Sequence, residues 1–180
     1  EFAVPPTPAL CVPSGTFSST KEPYGILVTG VGGSGVITLG ALIGMAAHID
    51  GKGATVLDMT GLAQKGGAVF SHVRICDDPA AIHAVRIATG EADAVIGGDA
   101  VVTAGNEALA KMQAGRTRVA VNCAETPTAE FTHDPDWQFP LAKMQEAIRA
   151  STGENAATFI DATALATQLL RGLAFAHDAG

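Results

Sequence analysis

Short apolar runs alternate with longer apolar–polar patterns along most of this chain, and the alternation begins abruptly after Pro23. Ile26–Thr29 reads as a buried strand, and Ser34 to about His48 as a helix with Val36, Leu39, Ile43 and Ala46 on one face. Gly40 and Gly44 lie about one turn apart in that helix and imply tight packing on a sheet, since glycine otherwise costs about 1 kcal/mol in a helix. Ala54–Asp58 is a second buried strand, Thr60–Gly67 a loop, and Ala68–Ile75 a third strand with Val69, Ser71, Val73 and Ile75 on one side. Residues 82–87 suggest a short strand, and Ala94–Gly98 another buried one. A helical region follows from Asp99 to Gln113, interrupted near Gly105. Arg118–Asn122 is a strand, Pro140–Ala150 an amphipathic helix, Ala157–Asp161 the last strand, and a helix then runs to about Leu170. Such alternation predicts an α/β fold, a three-layer α/β/α sandwich. The step from Asp58 to Ala68 holds no helix, so the central sheet is expected to be mixed, mostly parallel, with Ala68–Ile75 antiparallel to a neighbour.

The flanks break this pattern. Glu1–Pro23 carries four prolines in its first 13 residues and a Ser/Thr run after them, and reads as a tail or linker. Its Glu1-Phe2 start suggests a cloning remnant and a piece of a longer protein. Residues 171–180 offer no clear element, which leaves one domain over residues 24–170. With 180 residues and 47% hydrophobic content the chain can bury a proper core. Net charge is −7 without any Lys/Arg cluster, which argues against nucleic acid or an anionic membrane as partner. No apolar run approaches the roughly 20 residues of a membrane span. The three cysteines, Cys11, Cys76 and Cys123, are far apart and form no C-x-x-C, so the chain alone offers no iron–sulfur or zinc-finger site; a reduced, cytoplasmic setting is expected.

Two segments concentrate candidate chemistry. In Gly30-Val31-Gly32-Gly33-Ser34-Gly35 an apolar strand ends in glycines and a helix follows at once. Glycine permits close approach and unusual dihedrals, and a helix start presents free N–H groups and a positive dipole end, together a seat for an anion. The spacing formally satisfies G-x-G-x-x-G, although Asp58 lies beyond the roughly 20-residue offset of a ribose-binding acid. A bound anionic ligand and pure helix packing both remain open, while no Lys-Ser/Thr pair follows that would make a P-loop. The second segment is Thr60-Gly61-Leu62-Ala63-Gln64-Lys65-Gly66-Gly67, in which Thr60, Gln64 and Lys65 stand among flexible glycines after a strand end. Lys65 suits a carboxylate or phosphate; a solvated turn is the alternative. Among the five histidines no ligand spacing occurs, and His72, sharing a strand face with Phe70 and Arg74, is expected to be structural. Asp99 and Asp161 read as helix N-caps. No catalytic or metal-ligating set is legible.

Taken together, GVGGSGVITLGALIG, VLDMTGLAQKGGAVFSHVRI, EADAVIGGDAVV and TPTAEFT resemble the gamma region of 2-oxoacid:ferredoxin oxidoreductases, over about Tyr24 to Leu170. The nearest likeness is to indolepyruvate:ferredoxin oxidoreductase in its long, fused bacterial form. The resemblance implies oxidative decarboxylation of an aryl pyruvate at thiamine diphosphate (with Mg), electrons leaving through [4Fe-4S] clusters to ferredoxin, and transfer of the acyl group to coenzyme A. The thiamine and cluster segments of the family have no counterpart here, so the fragment is expected to be inert alone. It would assemble or cover an active site supplied by other domains or subunits of the same oxidoreductase, a homo-oligomer, and contact coenzyme A; the resemblance carries over no site residue, and the turn and loop themselves nominate Gly30, Gly32, Gly33, Ser34, Gly35, Thr60, Gln64, Lys65 and Gly66. Two other readings compete: an NAD- or FAD-binding Rossmann-type domain, which requires a parallel crossover after Asp58, and a purely structural assembly module.

Overall fold

Why the third strand lies inside the sheet, between the first two, follows from its side chains. The computed structural model describes residues 22–61, 67–124, 140–153 and 155–167. Within them β1 (Tyr24–Val31), β2 (Gly53–Thr60), β3 (Ala68–Cys76), β4 (Ala94–Gly97), β5 (Arg118–Asn122) and β6 (Ala157–Ile160) form one sheet in the order β2-β3-β1-β4-β5-β6. β3 is buried at Val69 through Val73, whereas β2 exposes Val56, Asp58 and Thr60. The strand buried on both faces is sandwiched, and the one with a solvated face goes to the edge.

β3 runs antiparallel to both β1 and β2, while β1–β4, β4–β5 and β5–β6 are parallel. The mixed, mostly parallel sheet and the antiparallel third strand are as the missing crossover helix requires. The helix between strands one and two implies from sequence that they are parallel neighbours, and this expectation fails. Strands one and two are not neighbours, because the short loop lets β3 return between them. The proposed strand at residues 82–87 is also absent: both edges of β3 are already paired, so this segment crosses the face of the sheet and buries Ile87 there.

Helix α1 (Val36–Ile49) covers β2, β3 and β1 from one side, packing Val36, Leu39 and Ile43 on Val28, Val69, Ile26 and Ile96. A Cβ at Gly40 would collide with the Ser71 side chain, and one at Gly44 would lie 2.8 Å from Val56 Cγ2, so both glycines serve close helix–sheet packing. The opposite face carries the larger core, in which Leu27, Phe70, Ile87, Val95, Val119 and Val121 meet α2 (Ala100–Thr103), α3 (Asn106–Leu109) and α4 (Leu141–Thr152). α2 and α3 are the predicted interrupted helix, broken at Gly105, the N-cap of α3. Residues 162–167 are helical after β6; the remainder of that predicted helix, to Leu170, lies outside the described residues. The outer ridge of α1 is bare: Leu42, Met45 and Ile49 are 61, 58 and 79% exposed. No helix among the described residues is long and apolar enough to cross a membrane.

Candidate functional site

The chain leaves β1 toward β2 on one side and β4 toward β5 on the other. The connections therefore diverge between β1 and β4, which are parallel neighbours. Such a switch point opens a crevice beyond the carboxyl ends of the two strands, where open α/β sheets hold ligands. The glycine turn fills one wall of it. Gly33 and Gly35 have φ of +96° and +83°, a region that L side chains rarely adopt, so the backbone conformation itself demands glycine there. Gly30 is a different case: a Cβ would lie 2.5 Å from Ser34 Oγ and 2.8 Å from Val36 Cγ2. Ser34 folds back, its Oγ donating to Val31 O at 2.6 Å, and is not free for a ligand in this conformation.

Helix α1 starts at Val36, two residues later than the sequence pattern suggests, with Gly35 as N-cap. No side chain caps it and its first turn carries no acid, so among the described residues its leading N–H groups have no side-chain acceptor. They open on a depression of about 280 Å³ lined by Val31, Gly33, Gly35, Val36, Ile37, Thr38 and Val69. That arrangement can hold an anion.

The other wall was read from the sequence only as a helix cap. Asp99, 4% exposed, does cap α2, accepting from Val102 N–H at 2.8 Å through Oδ1. Its Oδ2 accepts from Val31 N–H at 2.7 Å and so anchors the glycine turn across the crevice. Gly98 N–H donates to Thr29 O at 2.7 Å, completing the junction. The G-G-D run after β4 was the available signal, but its partner at Val31 is 68 residues away and no local pattern indicates it.

The second predicted segment is only partly described. Thr60 pairs with Val69, which pairs with Gly30, so Thr60 and the glycine turn share one row two strands apart, about 10 Å. Gly32 N–H donates to Gly67 O at 2.9 Å, tying the turn to the end of the loop. Gln64, Lys65 and Gly66 lie outside the described residues. Among those described, no three His, Cys, Asp or Glu side chains converge.

His72 lies far from the crevice rim, fully buried on the large-core face. Its Nδ1 accepts from Ile87 N–H at 3.2 Å, while Nε2 has no partner among the described residues. Burial pushes its pKa down to about 4, and Lys111 adds to the shift. It is structural, as its strand face suggests.

Comparison with known proteins agrees with the motifs. Residues 25–176 match the family model described as pyruvate ferredoxin/flavodoxin oxidoreductase. The chain is 30% identical over 130 residues, 72% of its length, to indolepyruvate oxidoreductase subunit IorB of Methanothermobacter thermautotrophicus, and that match spans 63% of the relative. The corresponding subunit of Archaeoglobus fulgidus is 41% identical over 71 residues, 39% of this chain and 33% of the relative. Pyruvate oxidoreductase subunit PORC of Thermotoga maritima shares the fold, with a TM-score of 0.55 at 21% identity over 84% of this chain and 68% of that one. The chain thus belongs to the pyruvate ferredoxin/flavodoxin oxidoreductase family.

Proposed function

We propose that this chain is the gamma-type domain of a 2-oxoacid:ferredoxin oxidoreductase that converts an aryl pyruvate such as indolepyruvate to its acyl-CoA, with ferredoxin as electron acceptor. In this reading the thiamine diphosphate, magnesium and [4Fe-4S] clusters belong to other domains or subunits, and this domain covers the active site and helps hold coenzyme A. The observation that carries it is the start of α1, which carries no side-chain cap and opens on the depression beside β1 and β3 at the sheet rim. A phosphate of coenzyme A or a 2-oxoacid carboxylate would accept from those leading N–H groups, and Lys65 would add charge from the adjoining loop. Gly32, Gly33 and Gly35 keep side chains out of the path, Thr60 lies on the same rim, and Gln64 is assigned to it from the sequence alone. The bare ridge of α1 favours an assembly role beside this one, since an apolar surface of that kind is normally covered. A Rossmann-type dinucleotide site is disfavoured by β3, which separates Asp58 on β2 from the turn after β1.

The test is made in the intact oxidoreductase. Lys65→Ala should raise KM for coenzyme A or lower turnover roughly three- to tenfold, the worth of one charge to an anion, with the fold intact, and Gly33→Val should cost at least as much, because a β-branched residue at that positive φ distorts the turn as well as blocking it. Wild-type activity and coenzyme A affinity in both variants would make this surface structural.

A further inference from the structure

The crevice is held by a belt of hydrogen bonds running across the sheet rim, and its last link is Asn122 at the end of β5. Its Nδ2 donates to Gly98 O at 3.2 Å. Its Oδ1 accepts from Ala124 N–H and from Ala162 N–H, each at 3.1 Å. The amide orientation is forced, because the flipped group would set NH2 against two N–H donors and oxygen against a carbonyl. Gly98 is bonded in turn to Thr29, and its neighbour Asp99 to Val31 in the glycine turn. One half-buried side chain therefore connects the crevice wall to two chain segments that leave the rim: the one after β5 and the helix starting at Ala162. No other residue type satisfies all three partners. Aspartate opposes Gly98 O with a second acceptor, glutamine is one methylene too long, and serine reaches too short.

We propose that Asn122 is the positioning residue of the crevice. It fixes the Gly98–Asp99 wall against the segments after β5 and β6, so that occupancy of the glycine turn and the placement of those segments are coupled. This rests on the reading of the crevice as a coenzyme A site. Asn122 touches no ligand; it acts through Gly98.

Kinetics of the intact oxidoreductase carrying Asn122→Asp test this, with Gly33→Val and Lys65→Ala as controls. Asn122→Asp should raise KM for coenzyme A about tenfold, the order of one buried hydrogen bond turned repulsive, and leave kcat within about twofold. Hydrogen exchange of the wild-type enzyme gives a readout independent of any variant's folding: amides of Ala124 and Ala162 should gain protection on adding coenzyme A. If KM stays at the wild-type value while the controls raise it, or if kcat alone falls, Asn122 is not the positioning residue although the crevice reading stands. If the two amides do not respond to coenzyme A, the coupling is refuted. If KM is unmoved in all three variants, the crevice reading fails and this inference with it.

Discussion

A histidine without solvent sets one titration of this fold. His72 accepts the Ile87 amide through Nδ1, which only the neutral ring can do, and its pKa is lowered to about 4 from an ordinary value near 6.5. A base whose folded pKa is depressed favours the unfolded chain when it protonates. Its contribution is therefore complete above pH 6.5 and is lost progressively as pH falls from there toward 4. The loss amounts to at most about 3 kcal/mol, at about 1.4 kcal/mol for each pKa unit. Urea unfolding at pH 7, 5.5 and 4.5 should show stability falling with acid, and His72→Leu should flatten that fall. Glu91 steepens the acid limb too, since its hydrogen bond from Arg74 lowers its pKa, so only the wild-type-minus-variant difference isolates His72. If both proteins share one slope, the ring is not titrating in this window.

Elements were legible wherever a local pattern determines them. The break at Gly105, the buried run of β3 and the cap at Asp99 each arise from a few adjacent residues, and the structure has all three. The bond from Val31 to Asp99 and the insertion of β3 between β1 and β2 depend on residues far apart in sequence, and no periodicity encodes them. The same distinction separates the two glycines of α1, which look alike in sequence. At Gly40 the added methyl would meet Ser71 Cβ at 2.9 Å in the packed interior; at Gly44 it would meet only a methyl of Val56, which is 37% exposed on the edge strand. Gly40→Ala should lose about 1–3 kcal/mol through overpacking, outweighing its helix propensity. Gly44→Ala should be neutral or gain up to about 1 kcal/mol, because Val56 can shift. Thermal unfolding of the two variants decides this, and equal destabilisation would show that the edge strand is as rigid as the core.

At the scale of the whole molecule, the two faces of the sheet are unequally furnished among the described residues. α2, α3 and α4 pack on one; on the other α1 lies over β2, β3 and β1, while Ala120 and Ile160 on the same side of β5 and β6 stay exposed. The bare ridge of α1 adds to that apolar area, and α1 carries no Asp, Glu, Lys or Arg along its 14 positions. This bears on handling. The protein in isolation should bind the dye ANS while fully folded, with blue-shifted fluorescence that urea abolishes in step with the loss of circular dichroism. Its sedimentation coefficient should rise with concentration despite the net charge of −7, and Leu42→Gln with Met45→Gln should suppress both effects. Colloidal behaviour, more than fold stability, then sets the concentration at which this chain can be studied by itself.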